Sequence, residues 1–390
     1  MEALALNSAE IILLSALGGL WIIQLIYYFT CYNRIGKNQT EEIKNKKRFS
    51  SEQPPLSVVV YARNDAENLR RFLPTVLQQD YPLFEVIVIN DASTDDTEIV
   101  LEQLQREYPH LYYSFTPDSA RYISHKKLAL TLGIKASKYN WLVFTETNCE
   151  PASPQWLSLL ARNFTPGTEV VLGAALYKPT KGFRSRYLSF DTLFTAMRYL
   201  GLAHAGKPYM GIGRNLAYRK ELFFAQKGYS SHLNLQRGED DIFINRIATG
   251  QNTRIETDSR SVIRIEPLHS IKSWIGEKIS YKVTGQYYKG HQRQWLGFET
   301  TSRLLFHTLN LFTIVWSILQ SAWIVTGVAA FLWLIRYITQ LLVVNRSAKV
   351  LGEPKRFYTS LLVFDFIQPL QSLRFELDRR FHRKSDFQRR

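Results

Sequence analysis

The chain has 390 residues, of which 45% are hydrophobic, and it carries a formal net charge of +15. This hydrophobic content excludes a chain that is disordered throughout, because it provides enough apolar surface for a packed core. The two cysteines, Cys31 and Cys149, give neither a disulfide framework nor the spacing of a metal site. They therefore indicate a reducing compartment for the globular part.

A long apolar segment near the amino terminus, residues 11–31, predicts a transmembrane signal anchor. Gln24 is its only strongly polar side chain, and its length is sufficient to cross the hydrocarbon core of a bilayer. A cleaved signal peptide is the alternative, but the preceding residues contain Glu2 and Glu10 and no Lys or Arg. Residues 1–10 are therefore expected outside the membrane.

Basic residues follow the anchor in a predicted linker that spans residues 32–54. The basic excess of the chain gathers in Arg34–Arg48 and in Arg374–Arg390, and both runs lie near apolar segments. This placement favours membrane lipids over nucleic acid as the partner. By the positive-inside rule, the globular part is expected in the cytoplasm.

Predicted strands and helices alternate over residues 55–270. The apolar runs predict the strands Ser57–Tyr61, Glu85–Ile89, Trp141–Phe144 and Val170–Leu172, and the intervening segments predict the helices Ala66–Gln79, Thr97–Glu107 and Lys127–Ala136. This alternation predicts an α/β fold with a mainly parallel sheet and helices on its faces.

The carboxyl-terminal part is apolar and aromatic. Aromatic and basic residues over 271–302 predict interfacial helices, and the two apolar runs in 303–344 predict a transmembrane hairpin. A buried hairpin in a soluble domain is the alternative, and Arg336 within the second run must either reach the interface or face protein. Residues 345–390 are expected as a basic cytoplasmic or interfacial segment, with Phe357–Phe375 interfacial or re-entrant.

Polar clusters occur where predicted strands end, and an acidic triplet precedes an amphipathic helix. They are Ser57–Asn68, Asp91–Asp96, Thr145–Pro151 and Arg237–Phe243. Parallel strands would place the first three clusters along one edge of the sheet, where open α/β folds bind ligands. A nucleotide-diphosphate donor needs such an edge, with polar partners for its nucleoside and a cation for its pyrophosphate.

These clusters, with Gly213–Tyr218, His125–Lys127 and the Cys149–Trp156 frame, occur in the order typical of one enzyme family. The stretch Leu56–Ile265 resembles the catalytic domain of family 2 glycosyltransferases, which has the GT-A fold. The flanking apolar segments resemble those of its membrane-bound members in bacteria. The resemblance implies a multi-pass protein of the bacterial inner membrane that uses a nucleotide-diphospho-sugar.

The resemblance also implies roles for individual residues. The donor would be held by Arg63, Asp65, Asp91, Ser93, Lys126, Glu146, Arg214 and Asn215. The divalent metal, Mg²⁺ or Mn²⁺, would be bound by Glu146 and Asn148, which occupy the positions of the family's Asp-x-Asp. The general base would be Asp240, with Asp241 as the alternative and Glu239 beside them.

Other interpretations remain open for some of these residues. Asp91 and Asp95 could cap the following helix, and Lys126 could be a solvated lysine at the start of a helix. The family metal position holds the neutral amide of Asn148, which binds hard cations more weakly than a carboxylate does. Glu277–Tyr281 lacks the arginine of the family's Gln-x-x-Arg-Trp motif, so processive polymer synthesis is not expected.

The predicted function is sugar transfer, with inversion, from a cytosolic nucleotide-diphospho-sugar to a hydroxyl of a lipid-linked or envelope glycan acceptor. The alternative is a catalytically degenerate glycosyltransferase-like protein that acts as a membrane scaffold. The altered metal and arginine positions motivate the alternative, while the intact Gly238–Asp241 segment argues against it.

Overall fold

The computed structural model describes residues 6–117, 124–267 and 271–381. Two predicted segments are therefore described only in part: residues 1–5 of the predicted external segment 1–10 and residues 382–390 of the predicted basic segment 345–390 lie outside the described residues. The strands are β1 (Leu56–Ala62), β2 (Phe84–Asn90), β3 (Leu111–Phe115), β4 (Trp141–Glu146), β5 (Cys149–Pro151), β6 (Val170–Leu172), β7 (Ala175–Tyr177), β8 (Leu216–Arg219), β9 (Thr253–Ile255) and β10 (Ile263–Ile265).

A seven-stranded sheet in the order β3-β2-β1-β4-β8-β6-β9 forms the centre of the fold. Strands β3, β2, β1 and β4 are parallel, and β8 pairs antiparallel with both β4 and β6. In β1, Val58, Val59 and Val60 are all buried, as expected for a strand that is covered on both faces. The predicted mainly parallel sheet is therefore confirmed.

The register brings the ends of the parallel strands together. Tyr61 lies opposite Glu146, and Ala62 lies opposite Asn90, which directly precedes Asp91. The polar clusters after β1, β2 and β4 consequently share one edge of the sheet. A second sheet of three strands, in the order β5-β10-β7, extends from that edge.

Thirteen α-helices are assigned in the described residues, and short 3₁₀ turns join some of them. They are α1 (Ser8–Tyr27), α2 (Arg34–Ile43), α3 (Ala66–Leu77), α4 (Thr97–Glu107), α5 (His125–Ala136), α6 (Trp156–Ala161), α7 (Phe183–His204), α8 (Lys220–Ala225), α9 (Asp241–Ile247), α10 (Ile271–Thr284), α11 (Gln292–Leu319), α12 (Trp323–Val350) and α13 (Thr359–Phe381).

The sequence prediction missed helix α7. This helix is buried on nearly every face, with Tyr187, Phe190 and Tyr199 among its buried residues. A helix that is buried on all sides has no polar face, so its sequence lacks the amphipathic period that marks a helix. Strand β3 was also missed, because its short run of mixed aromatic and polar residues does not alternate clearly.

Three helical segments are long and apolar enough to cross a membrane, namely Ser8–Tyr32, Gln292–Leu319 and Trp323–Val350. The first is α1 continued by a π-helical turn at Tyr28–Tyr32. The helix boundaries differ from the predicted ones, since α11 already begins within the expected interfacial region 271–302. Helix α12 likewise continues past residue 344.

Arg336 faces protein rather than lipid. Its guanidinium pairs with the carboxylate of Asp365 on α13 at 2.5 Å and donates to the side-chain oxygen of Gln24 on α1 at 3.2 Å. Arg303 and His307 on α11 also contact Asp365, at 3.4 and 2.8 Å. These polar contacts join α1, α11, α12 and α13 in an otherwise apolar bundle.

Helix α13 covers the segment that was expected to be interfacial or re-entrant. Its exposed apolar residues recur every three or four positions and include Phe366, Leu370, Leu373 and Leu377. An apolar stripe of this kind on a helix with exposed basic residues such as Arg374 is typical of a helix that lies along a membrane surface.

Candidate active site

The acidic triplet Glu239, Asp240 and Asp241 lies at the amino-terminal end of α9. Gly238, whose φ is 105°, allows the backbone to turn into this position, which residues with a side chain rarely adopt. Asp240 caps the helix: one carboxylate oxygen accepts from the backbone N–H of Asp241 at 2.8 Å. Its other oxygen accepts from the backbone N–H of Gly213 at 2.9 Å.

The environment of Asp240 makes it a weaker acid than usual. Desolvation, reinforced by the negative charges of Asp241 and Glu239, raises the pKa of Asp240 to about 7. A carboxylate with this pKa can accept a proton near neutral pH, as a general base must. Asp240 is only partly buried, whereas its two acidic neighbours are buried.

The other two carboxylates of the triplet are buried and contact neighbouring groups. Asp241 accepts hydrogen bonds from the hydroxyls of Thr284, at the end of α10, and Tyr288, the latter at 2.7 Å. Burial would raise the pKa of Glu239, but an ion pair with Lys126 at 2.9 Å lowers it. The geometry therefore favours Asp240 as the acidic residue that can face a substrate.

Lys126 connects the acidic triplet to the end of β4. Its ammonium lies 2.7 Å from Glu146 and 2.9 Å from Glu239. Burial opposes a charged lysine here, yet the two carboxylates raise its pKa. Lys126 was predicted to hold the donor, and the structure places its charge beside the triplet.

Arg214 bridges the end of β4 and helix α10. It donates to Glu146 at 2.6 Å and forms a two-pronged pair with Glu277 at 2.9 and 3.2 Å. Burial would raise the pKa of Glu146, but Arg214 and then Lys126 hold it below its usual range. The role of Glu277 was missed, because the sequence prediction took its segment only as a departure from a motif.

Asp91 is the centre of a second polar cluster at the same sheet edge. It accepts hydrogen bonds from the hydroxyls of Tyr61 at 2.9 Å and Thr116 at 2.5 Å, and it pairs with His125 at 3.0 Å. Arg63, which is half exposed, approaches it at 3.4 Å. The contact of His125 with Asp91 was not predicted from the sequence.

The loops around this second cluster are held by short side chains. Ser93 accepts from the backbone N–H of Asn64 at 2.9 Å, and Asp65 accepts from the hydroxyl of Thr147 at 2.9 Å. Asp95 accepts from the backbone N–H groups of Ala66 and Thr97, each at 3.1 Å. The capping interpretation therefore applies to Asp95, whereas Asp91 faces the cluster.

Asn215 was predicted to contact the donor, yet its side chain lies in the core. Its side chain is 1% exposed and is used entirely within the core. The amide nitrogen donates to the carbonyls of Ala174 and Ser261, and the amide oxygen accepts from the indole N–H of Trp156 at 3.0 Å. A buried asparagine with these partners joins the two sheets, and no donor atom is left for a ligand.

The residues expected to bind a divalent metal do not form a binding site by themselves. Glu146 uses both carboxylate oxygens on Lys126 and Arg214, and Asn148 provides only a neutral amide. Across residues 6–117, 124–267 and 271–381, no three His, Cys, Asp or Glu side chains are grouped to hold a metal ion. Hard cations prefer carboxylate oxygens, so the predicted pair does not fit a metal without additional ligands.

The chain is similar to known proteins both in sequence and in fold. A sequence profile of glycosyl transferase family 2 matches residues 57–224. The glycosyltransferase AglE of Haloferax volcanii is 30% identical over 110 residues, which cover 28% of this chain and 34% of AglE. The 4,4'-diaponeurosporenoate glycosyltransferase of Staphylococcus aureus is 25% identical over 166 residues, 42% of each chain.

The chain thus spans well under two thirds of the length of these curated relatives. Among solved structures, the mannosyltransferase PcManGT from Pyrobaculum calidifontis, in complex with GDP-Man and Mn²⁺, has a TM-score of 0.53 at 17% identity. The structural match covers 93% of this chain and 98% of the PcManGT chain, which supports the fold. Residues 57–224 are therefore similar to glycosyl transferase family 2, and the likeness to PcManGT supports the GT-A fold.

Proposed function

We propose that this protein transfers a sugar, with inversion, from a nucleotide-diphospho-sugar to a hydroxyl group of a membrane-bound acceptor. The observation that carries the proposal is Asp240, a partly exposed carboxylate with a pKa of about 7 beside two cations. Lys126, Arg214, Glu146 and the acidic triplet line one cleft at the edge of the sheet.

The proposed chemistry follows from this arrangement. The acceptor hydroxyl gives its proton to Asp240 while its oxygen attacks the anomeric carbon of the donor. The bond between that carbon and the diphosphate breaks on the opposite face, which inverts the configuration. Lys126 and Arg214 supply positive charge for the leaving diphosphate, which would compete with Glu146 for both cations.

The nucleoside of the donor is assigned to the cluster around Asp91. Arg63 is half exposed and offers a guanidinium to the ligand, while Tyr61, Thr116 and His125 hold the carboxylate of Asp91 in place. A fixed carboxylate at a strand end is suited to accept hydrogen bonds from ribose or base. Ser93 and Asp65 then support the loops rather than the ligand.

The membrane-bound acceptor is proposed from the three helices long enough to span a bilayer and from the apolar stripe of α13. The name of the S. aureus relative describes action on 4,4'-diaponeurosporenoate, and that of PcManGT describes binding of GDP-Man. The first name is consistent with a lipid-borne acceptor, and the second is consistent with a nucleotide-sugar donor.

Purified full-length protein in detergent is expected to be stabilised by a nucleoside diphosphate and to hydrolyse its nucleotide sugar slowly. A ligand that binds only the folded state stabilises it by mass action and so raises the melting temperature. At a hundredfold excess over Kd, the free energy of unfolding increases by about 2.7 kcal/mol. GDP, UDP and their sugars would be screened by thermal shift, followed by donor hydrolysis with Mn²⁺ or EDTA.

The screen separates the alternatives. Stabilisation and hydrolysis would support the transferase, and hydrolysis that needs millimolar Mn²⁺ would fit a metal ion held mainly by donor phosphates. Retained hydrolysis in EDTA would assign charge neutralisation to Lys126 and Arg214 alone. Neither binding nor hydrolysis with any donor would contradict the proposal and favour a membrane scaffold.

The proposed topology has three spans with the catalytic domain in the cytoplasm. After Arg390, only a reporter that works in the cytoplasm is expected to be active, and at the amino terminus only a reporter that works outside. The reason is that basic residues flank the cytoplasmic ends of the spans. Paired fusions of alkaline phosphatase and green fluorescent protein would measure this. An exported carboxyl-terminal reporter would refute the three-span arrangement.

A further inference from the structure

A cavity of about 460 Å³ lies between helices α7, α10, α11 and α13, next to the acidic triplet. Tyr281 lines both this cavity and the cleft that contains Asp240. Tyr288 also lines the cavity, and its hydroxyl donates to Asp241 at 2.7 Å. Tyr281 therefore joins the two spaces, and Tyr288 connects the cavity wall to the acidic triplet.

One wall of the cavity is apolar and belongs to the helices assigned to the membrane. Leu296 and Leu304 come from α11, and Pro369 and Leu373 come from α13. Leu373 is also 49% exposed and is part of the apolar stripe of α13. The cavity therefore opens on the side where the protein is expected to meet lipid.

Four cations also line the cavity. They are Arg198 of α7, Lys278 and Lys282 of α10, and Arg293 of α11. Two of these cations are neutralised, since Lys278 pairs with Asp191 and Arg198 pairs with Glu299. The carboxylate of Glu376, which also lines the cavity, is engaged by Arg379.

Lys282 and Arg293 remain without such a partner. Among the residues that the structure describes, neither has a carboxylate within 4.0 Å. The ammonium of Lys282 donates to the hydroxyl of Ser372 at 2.7 Å. Desolvation and the positive charge of Arg198 lower the pKa of Lys282 to about 8. Glu376 acts on both cations electrostatically from beyond 4.0 Å. A desolvated cation without a carboxylate in direct contact favours binding of an anion.

We infer that this cavity binds the acceptor of the proposed reaction, and that the acceptor is a lipid whose head group carries both a phosphate and a free hydroxyl. The phosphate would lie at Lys282 and Arg293, the acyl chains along Leu304 and Leu373, and the hydroxyl would reach past Tyr281 to Asp240. This inference rests on the proposed transferase function and adds to it the chemical class of the acceptor.

The inference is tested by lipid binding to the full-length protein in detergent, measured by native mass spectrometry. The probe is phosphatidylglycerol, which has a phosphate and hydroxyls, compared with diacylglycerol, which lacks the phosphate, and glycerol 1-phosphate, which lacks the chains. Phosphatidylglycerol is expected to bind most tightly. Since each variant loses a charge-assisted contact, Lys282→Met and Arg293→Gln should each weaken binding about tenfold or more.

Matched variants separate a local effect from general ones. Lys282→Arg keeps the charge and is expected to restore binding, while Lys349→Met removes an exposed lysine of α12 that does not line the cavity and should change nothing. The melting temperature with and without GDP or UDP is measured for every variant. Unchanged nucleotide stabilisation would show that the donor site is intact.

Equal binding of phosphatidylglycerol by wild type and Lys282→Met would overturn the inference and leave the transferase proposal standing. Binding of glycerol 1-phosphate as tight as that of the lipid would replace the lipid with a soluble phosphate, and so would also overturn it. Lipid binding without any nucleotide binding would overturn the acceptor role together with the proposed function.

Discussion

Replacing Asp240 with Asn is expected to lower turnover by at least about 10²-fold, the usual scale for the loss of a general base. The amide has nearly the same shape, and its oxygen can still accept the backbone N–H that caps α9. The fold should therefore persist, although the amide nitrogen cannot accept from the backbone N–H of Gly213. Nucleotide binding should remain, because Arg63 and Asp91 are unaffected. The measurements are sugar transfer or donor hydrolysis and the thermal shift with nucleotide.

The pH dependence provides a second test of the same residue. A base works only when it is deprotonated, so the rate of the wild type should rise as the pH increases through about 7, the pKa of Asp240. Below this pH, protonation of Asp240 should remove activity. The residual activity of Asp240→Asn should lack this titration step.

Asp241→Asn is the matched control. Its carboxylate already accepts hydrogen bonds from Thr284 and Tyr288, so this variant should mainly disturb packing against α10. If Asp241→Asn abolished transfer while Asp240→Asn remained nearly normal, the base would be Asp241. The assignment would then be wrong by one residue.

Much of the catalytic domain follows from local sequence patterns. Apolar β-branched runs predicted β1, β2, β4 and β6 to within two residues at either end, because a strand buried on both faces needs such residues. Short polar clusters after these strands predicted the ligand edge, since the ends of parallel strands meet there. The acidic triplet was located by its position before an amphipathic helix.

Contacts between distant segments could not be predicted in the same way. Arg214 and Glu277 are 63 residues apart, and nothing local in either segment indicates the other. Asn215 and Arg214 are neighbours in the chain, yet one points into the core and the other into the cleft. Both residues lie in the turn before β8, so strand alternation does not assign the direction of either side chain.

The same limit applies to the helices that are long and apolar enough to cross a membrane. Hydropathy located the apolar runs, but it gave no partner for Arg336. The partner, Asp365, lies in a segment expected at the interface, and the two residues meet only when α12 and α13 pack together. Buried charges at such a contact point mark the sites where the bundle depends on a single arrangement of its helices.

Asp365→Leu is therefore expected to destabilise the protein by about 3–5 kcal/mol, the range for removing one partner of a buried ion pair. Arg336 and Asp365 are each 2% exposed, so the remaining arginine would be buried without its main counter-ion. The measurement is chemical unfolding of the full-length protein in detergent, followed by circular dichroism.

The double variant Asp365→Leu with Arg336→Met removes both charges and should lose much less stability than the sum of the single variants, because residues in contact are coupled. Arg303 would then keep Glu299 as its partner at 3.4 Å. The control is Arg346→Met on the same helix, an exposed arginine that contacts Gly36 and Thr40 and whose loss should cost at most about 1 kcal/mol. Additive losses in the double variant, or a loss for Asp365→Leu no larger than that of the control, would show that the buried pair does not hold the bundle together.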